Sequence, residues 1–265
     1  ADARFNLVAT VSAHSGVSAV PNFASIEALA GSGLTVHAVA ICTPPQVRGD
    51  IARHAIAAGY AVMLEKPPAA TLSDFADIKR RAANQGVSLF ATWHSRYAPM
   101  VATARAWLAT RIVTGGCVAW REDVRRWHPG QDWLWAPGGL GVFDPGINAF
   151  SILTDILPVP PMLSEALLDI PANGHTPIAA LLKLKTGAAL LEVELDFLQS
   201  GPQSWDIELE TECGHRLRLS DGGSRLSIDD GPAQSGTDAE YPALYARFAE
   251  LIAADQGEAD EAPLR

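Results

Sequence analysis

The stretch AVMLEKPPAAT, residues 61–71, places an apolar run directly before a carboxylate, an ammonium group and two prolines. Proline lacks the N–H that strand pairing needs, so Pro67 ends the strand that begins at Ala61. One interpretation is a charged strand exit to solvent. The other is a rigid turn that holds Lys66 at the carboxyl edge of a parallel sheet, where ligands bind in open α/β folds.

The residues around this stretch alternate between strand and helix patterns. Short strands separated by helices of roughly 10–15 residues predict βαβ units and a parallel sheet. The clearest helix follows Thr71, which forms a capping box with Asp74, and ends at Gly86. Predicted strands are 6–12, 37–42, 61–64 and 88–93, and predicted helices are 23–30, 46–58, 71–85 and 99–110.

Beyond residue 110 the pattern changes to long strand-like runs separated by glycine and polar turns, which predicts a largely antiparallel sheet. The fold class is therefore α/β: a Rossmann-type doubly wound domain over residues 1–110 and an α+β substrate-binding domain with a large open sheet over residues 111–265. Strands are expected at 113–123, 162–170, 178–185, 188–198, 204–211, 215–220 and 225–228, and helices at 145–157 and 241–254.

A dinucleotide domain has a glycine-rich turn after its first strand, and none occurs here in that context. We therefore expect that the first βα unit and the last helix are missing and that 6–12 is the second strand, whose tip reads the adenosine ribose. The tip has no carboxylate, whereas Ser12 and His14 can donate to a 2′-phosphate. A plain polar turn explains the tip equally well, but within a dinucleotide fold it favours NADP, with NAD use left open.

The composition disfavours several classes of binding partner. The 265 residues carry a net charge of −10 and a pI near 5.1, which disfavours nucleic acid and anionic membranes. No apolar stretch approaches the roughly 18 residues of a membrane span. Cys42, Cys117 and Cys213 lie far apart and form neither a disulfide pattern nor a zinc pattern, which predicts reduced thiols in a cytoplasmic protein without a metal.

A second strand end, ICTPPQV at residues 41–47, also leads into a proline turn. The backbone of Thr43 and Pro44 can border a nicotinamide ribose, although a turn without a ligand would look the same. The cofactor-binding residues expected at the strand ends are Ser12, His14, Cys42, Thr43, Pro44, Gln46, Glu65, Lys66 and His94.

Two motifs resemble the glucose–fructose oxidoreductase and inositol dehydrogenase-like (Gfo/Idh/MocA) family of NAD(P) oxidoreductases. The signature of that family is Glu-Lys-Pro after a strand and a later Gly-Gly…Asp-x-Gly-x-His stretch that opens a helix. Glu65-Lys66-Pro67 matches the first motif, and GGLGVFDPGIN at residues 138–148 matches the second, with Asn148 in place of His. The stretches LFATWHSR, EDVRRWHPGQ and PGGLGVFDPGIN are similar to the bacterial aldose 1-dehydrogenases of the family.

The resemblance implies NAD(P)-dependent oxidation of an aldopyranose, L-arabinose or D-galactose, at the anomeric carbon to the aldonolactone. Lys66 is then expected to relay the hydroxyl proton. Asp144 and Asn148, spaced i, i+4 on one helix face, are expected to hold the same hydroxyl or the ring oxygen. Asp144 before Pro145 is also a good N-cap. A catalytically silent sugar sensor and a cyclitol or dihydrodiol dehydrogenase are the alternatives.

The stretch WREDVRRWHPGQDWLW, residues 120–135, combines four tryptophans with carboxylates and a histidine. Indole rings pack on the apolar faces of sugars, and carboxylates and imidazoles pair with hydroxyls. An interface or a tryptophan-rich core hairpin fits the stretch as well. With the resemblance, the expected sugar contacts are Glu122, Trp127, His128 and His94, besides Lys66, Asp144 and Asn148. The exposed face of the large sheet is expected to support a homo-oligomer.

Overall fold

The computed structural model describes residues 2–13, 16, 17 and 19–265, and the chain divides into two compact units. The first unit comprises Ala1–Thr92 and Pro242–Asp260. The second comprises Trp93–Tyr241 and Glu261–Arg265.

The first unit contains short parallel sheets and the helices that follow their strands. Its elements are β1 (Thr10–Val11), β2 (Asn22–Phe23), α1 (Ile26–Ala30), β3 (Ala38–Ile41), α2 (Pro45–Ala57), β4 (Ala61–Leu64), α3 (Leu72–Gln85) and β5 (Leu89–Ala91). β1 pairs with β2, and β3-β4-β5 form a second sheet, all in parallel. The arrangement is of the Rossmann type, as predicted.

Local signals predicted α3 well and β1 poorly. The Thr71 hydroxyl accepts from the Asp74 N–H at 3.1 Å, and Gly86 ends α3 with φ of +70°, which confirms the predicted caps. The predicted strand 6–12 is only two residues long, and β2 was not predicted. A strand extends only as far as a partner supplies backbone hydrogen bonds, and here the pairing covers two residues of each strand.

The second unit is built on one eight-stranded sheet. Its elements are α4 (Val101–Leu108), β6 (Val113–Arg121), α5 (Val124–Trp127), α6 (Phe143–Ile156), β7 (Met162–Asp169), β8 (Ala179–Thr186), β9 (Ala189–Asp196), β10 (Ser204–Thr211), β11 (Arg216–Ser220), β12 (Arg225–Ile228) and β13 (Gln234–Ser235). The order is β13-β12-β11-β10-β6-β9-β8-β7. Among the described strands of this eight-stranded sheet, only β6 and β9 pair in parallel, so the sheet is mostly antiparallel, as predicted.

Helices α4 and α6 share the main core with one face of this sheet. α6 approaches β9 closely at Gly146, where a Cβ atom would lie 2.6 Å from Leu195 Cδ1. Val101, Ala104 and Leu108 of α4 are fully buried in the same core. This burial places α4 in the second unit, although the predicted division at residue 110 assigned it to the first domain.

The last helix, α7 (Glu240–Ala253), belongs to the first unit from Pro242 onward. The Phe248 ring stacks on Phe90 of β5 with centroids 6.1 Å apart, and on Phe5 at 5.8 Å. The predicted assignment of residues 241–254 to the second domain therefore differs from the structure. Chain order alone does not reveal that these aromatic rings, far apart in sequence, pack together.

None of the described helices combines the length and apolarity of a membrane span. The thiols of Cys42, Cys117 and Cys213 are free.

Candidate functional site

Two proline turns leave neighbouring strands at the same edge of the parallel sheet in the first unit. Ile41 of β3 is in register with Leu64 of β4, and the Glu65 N–H donates to the Ile41 carbonyl at 3.1 Å. Cys42-Thr43-Pro44 and Glu65-Lys66-Pro67 therefore begin side by side, as the carboxyl ends of parallel strands should.

Lys66 is half-buried. Its N–H donates to the Glu65 carboxylate at 3.0 Å, and the peptide bond to Pro67 is cis. Pro67 and Pro68 are buried. The strand-exit stretch is thus a turn with buried prolines and a half-buried Lys66.

Arg48 joins the two turns, and the sequence patterns did not predict it. Arg48 lies in α2 and is 3% exposed. Its guanidinium donates to the carbonyls of Glu65 at 2.6 Å, Pro67 and Thr43. No motif marks this arginine, and the helical spacing of α2 identifies only which face of the helix is buried.

The first unit offers polar groups to a dinucleotide. The Thr43 hydroxyl oxygen is buried and has no hydrogen-bond partner among the described residues. A buried hydroxyl is normally paired, so this atom suits a ribose or amide group of a bound cofactor. Ser12 follows β1, its N–H donating to the Phe23 carbonyl and its carbonyl accepting from Asn22, both at 3.0 Å. His14 lies outside the described residues.

In the second unit, two buried carboxylates and a half-buried imidazole converge from three parts of the chain. Glu122 follows β6 and is 5% exposed; its Oε2 accepts from Trp205 Nε1 of β10 at 2.9 Å. His128 Nε2 lies 3.3 Å from Glu122 Oε1 and 3.9 Å from Asp144 Oδ2. The contact at 3.3 Å is an ion-pair contact without hydrogen-bond alignment, because Glu122 Oε1 has no hydrogen bond among the described residues. We call Glu122, His128 and Asp144 the acidic histidine cluster.

The electrostatics of this cluster favour a protonated imidazole. The Glu122 carboxylate raises the pKa of His128 above its ordinary value, the Asp144 charge adds to the effect, and burial opposes it. Gln131 Oε1, 3.4 Å from Nδ1, contributes in the same direction. An imidazole between two carboxylates provides donors and acceptors in one small volume, which suits recognition of vicinal hydroxyls.

Aromatic rings stand beside the acidic histidine cluster. Trp127 is 45% exposed and meets Trp205 edge-on with centroids 5.5 Å apart, while His128 lies 5.6 Å from the Phe197 ring. Trp120 is instead buried in β6 as a core residue. The tryptophan-rich stretch therefore divides between the core and a partly exposed aromatic surface.

Asp144 and Asn148 share one helix, as their spacing predicts, but Asp144 does not cap it. α6 begins at Phe143 after Val142, so Asp144 lies inside the first turn. Gly141, with φ of +52°, reverses the chain earlier than the Asp-Pro pair suggested; a Cβ there would lie 2.2 Å from the Pro177 carbonyl oxygen. Asp144 is buried and Asn148 is half-buried.

His94 belongs to the second unit, whereas it was predicted with the cofactor residues of the first domain. It opens a 3-10 turn, its Nδ1 lies 2.5 Å from Glu240 Oε2, and its ring stacks on Tyr241 at 5.9 Å. Glu240 therefore orients the imidazole, a partner that no local pattern indicated.

The raised pKa of His128 predicts a pH dependence of stability. The stabilisation of the folded state by protonated His128 is complete below about pH 6.5, the ordinary pKa of histidine. It is lost as the pH rises through the pKa of His128 in the folded state. We therefore expect His128→Gln to flatten the decline of the urea midpoint above pH 6.5. Exposed His37→Gln is the matched control and should keep the wild-type slope; equal slopes in wild type and His128→Gln would contradict the prediction.

The chain is similar to proteins of known family and known structure. Residues 4–92 match the Gfo/Idh/MocA family, described as an oxidoreductase family with an NAD-binding Rossmann fold. A galactose 1-dehydrogenase of Pseudomonas fluorescens is 43% identical over 267 residues, which cover 100% of this chain and 86% of that protein. The chain belongs to the Gfo/Idh/MocA oxidoreductase family. It is thus an NAD(P)-dependent oxidoreductase, as the motifs predicted.

Solved structures extend the likeness to three dimensions. The crystal structure of a D-galactose-1-dehydrogenase protein from Rhizobium etli has a TM-score of 0.93 and 50% identity, covering 100% of this chain and 85% of that one. A 3-ketoreductase from Actinomadura kijaniata, crystallised with TDP-benzene and NADP, has a TM-score of 0.80 at 14% identity, covering 99% and 87%. The second likeness supports the fold alone.

Proposed function

We propose that this protein oxidises an aldopyranose, D-galactose or L-arabinose, at its anomeric carbon and releases the aldonolactone, with NADP⁺ as the preferred hydride acceptor. The observation that carries the proposal is whole-chain identity of 43% and 50% to two proteins named as galactose 1-dehydrogenases. The acidic histidine cluster and its aromatic neighbours support a sugar as the ligand.

The chain's own residues have separate tasks in this reaction. When bound, the nicotinamide supplies the site that accepts the hydride. Lys66 hydrogen-bonds the reacting hydroxyl and relays its proton to solvent as the hydride leaves the anomeric carbon. Asp144 and Asn148 orient the sugar from one helix face, while Glu122 and His128 pair with its other hydroxyls and Trp127 packs on its C–H face. Thr43 and Ser12 contact the two ends of the dinucleotide.

The proposal is tested by following reduced nicotinamide at 340 nm with a panel of aldoses and cyclitols, and by identifying the lactone by NMR. D-Galactose and L-arabinose have the same configuration around most of the ring, so we expect both to be oxidised. Sugar binding without reduction across the panel would favour a sensor, and turnover of cyclitols alone would favour a cyclitol dehydrogenase.

Cofactor preference depends on the strand tip at Ser12. Ser12→Asp introduces a carboxylate that repels a 2′-phosphate and accepts from a free ribose hydroxyl. We expect the ratio of kcat/KM for NADP⁺ over NAD⁺ to fall by roughly tenfold or more, the effect of about 1.4 kcal/mol. Ser12→Ala is the matched control and should shift the ratio less. A wild type that already prefers NAD⁺ would contradict this interpretation of the tip.

A homo-oligomer through the large sheet is part of the proposal. All eight residues of the edge strand β7 are exposed, including Met162 at 72% and Leu167 at 67%, and Leu181 of β8 is exposed beside them. A contiguous exposed apolar surface of this kind marks an interface, and a second copy offers the same surface about a two-fold axis. Leu181→Glu should halve the mass measured by light scattering. Val47→Glu, at an exposed position of α2, should not; an unchanged mass for Leu181→Glu would oppose the interface.

A cytoplasmic location is the remaining proposal. Three free cysteines without a disulfide support a reducing compartment. Fractionation of the native cells, with activity followed in each fraction, tests it.

A further inference from the structure

The strongest feature outside the predicted residues is the buried guanidinium of Arg48. One side chain of α2 donates to three backbone carbonyls, those of Thr43, Glu65 and Pro67. Two of these carbonyls flank Lys66, one on each side. The third lies in the neighbouring turn, whose Thr43 hydroxyl has no hydrogen-bond partner in the part of the chain that the structure describes. The guanidinium therefore ties the two proline turns to each other and to α2.

The chemistry of arginine suits this arrangement. Its guanidinium is planar and always charged, with donors held in a fixed fork, whereas lysine has one compact ammonium at the end of a flexible stem. Hydrogen bonds from a charged donor are stronger than neutral ones, and burial excludes the water that would compete for the carbonyls. A lysine at position 48 retains the charge but cannot span three carbonyls with the same geometry.

We propose that Arg48 is the positioning residue of the reaction, which fixes the backbone on both sides of Lys66 and sets the spacing between Lys66 and the Thr43 turn. This inference rests on the proposed function of Lys66. Arg48 acts through the backbone, because its Nη1 and Nη2 atoms donate to carbonyl oxygens. A displacement of a reacting group by about 1 Å can cost on the order of 100-fold in rate, so loosening the turns should lower kcat strongly.

Arg53 provides a matched control on the same helix. It lies five residues further along α2 and binds Asp77 at 3.0 Å as well as Asp74, both on α3. Its removal weakens the packing of α2 on α3 without touching either proline turn. Arg53→Ala should therefore lower the melting temperature and leave kcat within about twofold of wild type.

The experiment compares Arg48→Ala, Arg48→Lys and Arg53→Ala in the intact protein. We expect Arg48→Ala to lower kcat by roughly 10- to 100-fold, with a smaller change in KM for the sugar. Guanidinium chloride at tens of millimolar, well below denaturing concentrations, should restore part of the kcat of Arg48→Ala. It should not raise the kcat of Arg53→Ala. Arg48→Lys should remain impaired.

The outcomes separate a positioning role from a structural one. A kcat of Arg48→Ala within about threefold of wild type would overturn the proposal. A second contrary result would be a loss of kcat that guanidinium does not reverse, together with a fall in melting temperature like that of Arg53→Ala. If Arg48→Ala does not fold, Arg48→Lys is measured in its place. A wild-type kcat in a folded Arg48→Lys would overturn the proposal. A lowered kcat with an unchanged melting temperature would support it.

Two readouts do not depend on turnover. NADP⁺ binding by calorimetry should weaken in Arg48→Ala, and amide hydrogen exchange in the 61–70 segment should accelerate, with neither change in Arg53→Ala. If the wild type proves inactive on every sugar while these two effects appear, the proposed function fails and the positioning of the turns stands. If neither effect appears, the positioning proposal fails whatever the activity.

Discussion

Lys66→Met is expected to lower turnover by about two orders of magnitude or more, the contribution of a positioned proton-transfer group. Methionine keeps most of the volume of the stem and removes the charge. Folding should survive, because Pro67, Pro68 and the Arg48 contacts involve the backbone of this turn and leave the lysine side chain out. Stopped-flow or steady-state assays at saturating sugar and cofactor measure the effect on kcat.

The control is Lys79→Met, which removes a lysine of α3 that lies over the Phe75 ring. It should leave kcat within about twofold of wild type. NADP⁺ affinity should change little in Lys66→Met. Turnover within a few-fold of wild type would reduce Lys66 to a strand-exit charge, and the mechanism would then have to rest on Asp144.

Asp144→Asn should lower kcat/KM for the sugar by roughly 100-fold. The carboxylate is 4% exposed and lies 3.9 Å from His128 Nε2, so the substitution removes a buried acceptor and one of the two charges that face the imidazole. Asparagine has the same shape and introduces no cavity. The expected magnitude is that of a group that stabilises or moves a proton in the transition state.

Asp155→Asn is the matched control at the other end of α6, where Asp155 pairs with Arg105 at 3.0 Å. It should retain wild-type kcat/KM. The double variant His128→Gln with Asp144→Asn tests whether the cluster acts as a unit: the two losses should be less than additive if the groups serve one hydroxyl network. Near-wild-type activity of Asp144→Asn would show that the carboxylate has only a structural role.

Local sequence signals predicted the elements whose causes lie within a few residues. Thr71, Asp74 and Gly86 delimit α3 in both the sequence and the structure. The i, i+4 spacing of Asp144 and Asn148 likewise survives in α6. The error at the start of α6 arose because the helix begins where Gly141 reverses the chain, and that reversal is packed against Thr176 and Pro177, more than 30 residues away.

The sequence by itself determined the class of the protein: a parallel αβ part, an antiparallel part, the Glu-Lys-Pro and Asp…Asn motifs, and through them the family. Only the tertiary structure decided which side chains meet. Trp205 contacts Glu122 across 83 positions, and Arg48 reaches Glu65 across 17. Such contacts depend on strand order and helix packing, which a linear pattern of apolar and polar residues does not encode, because many arrangements of the same elements satisfy the same pattern. The placement of α4 in the second unit and of α7 in the first has the same origin.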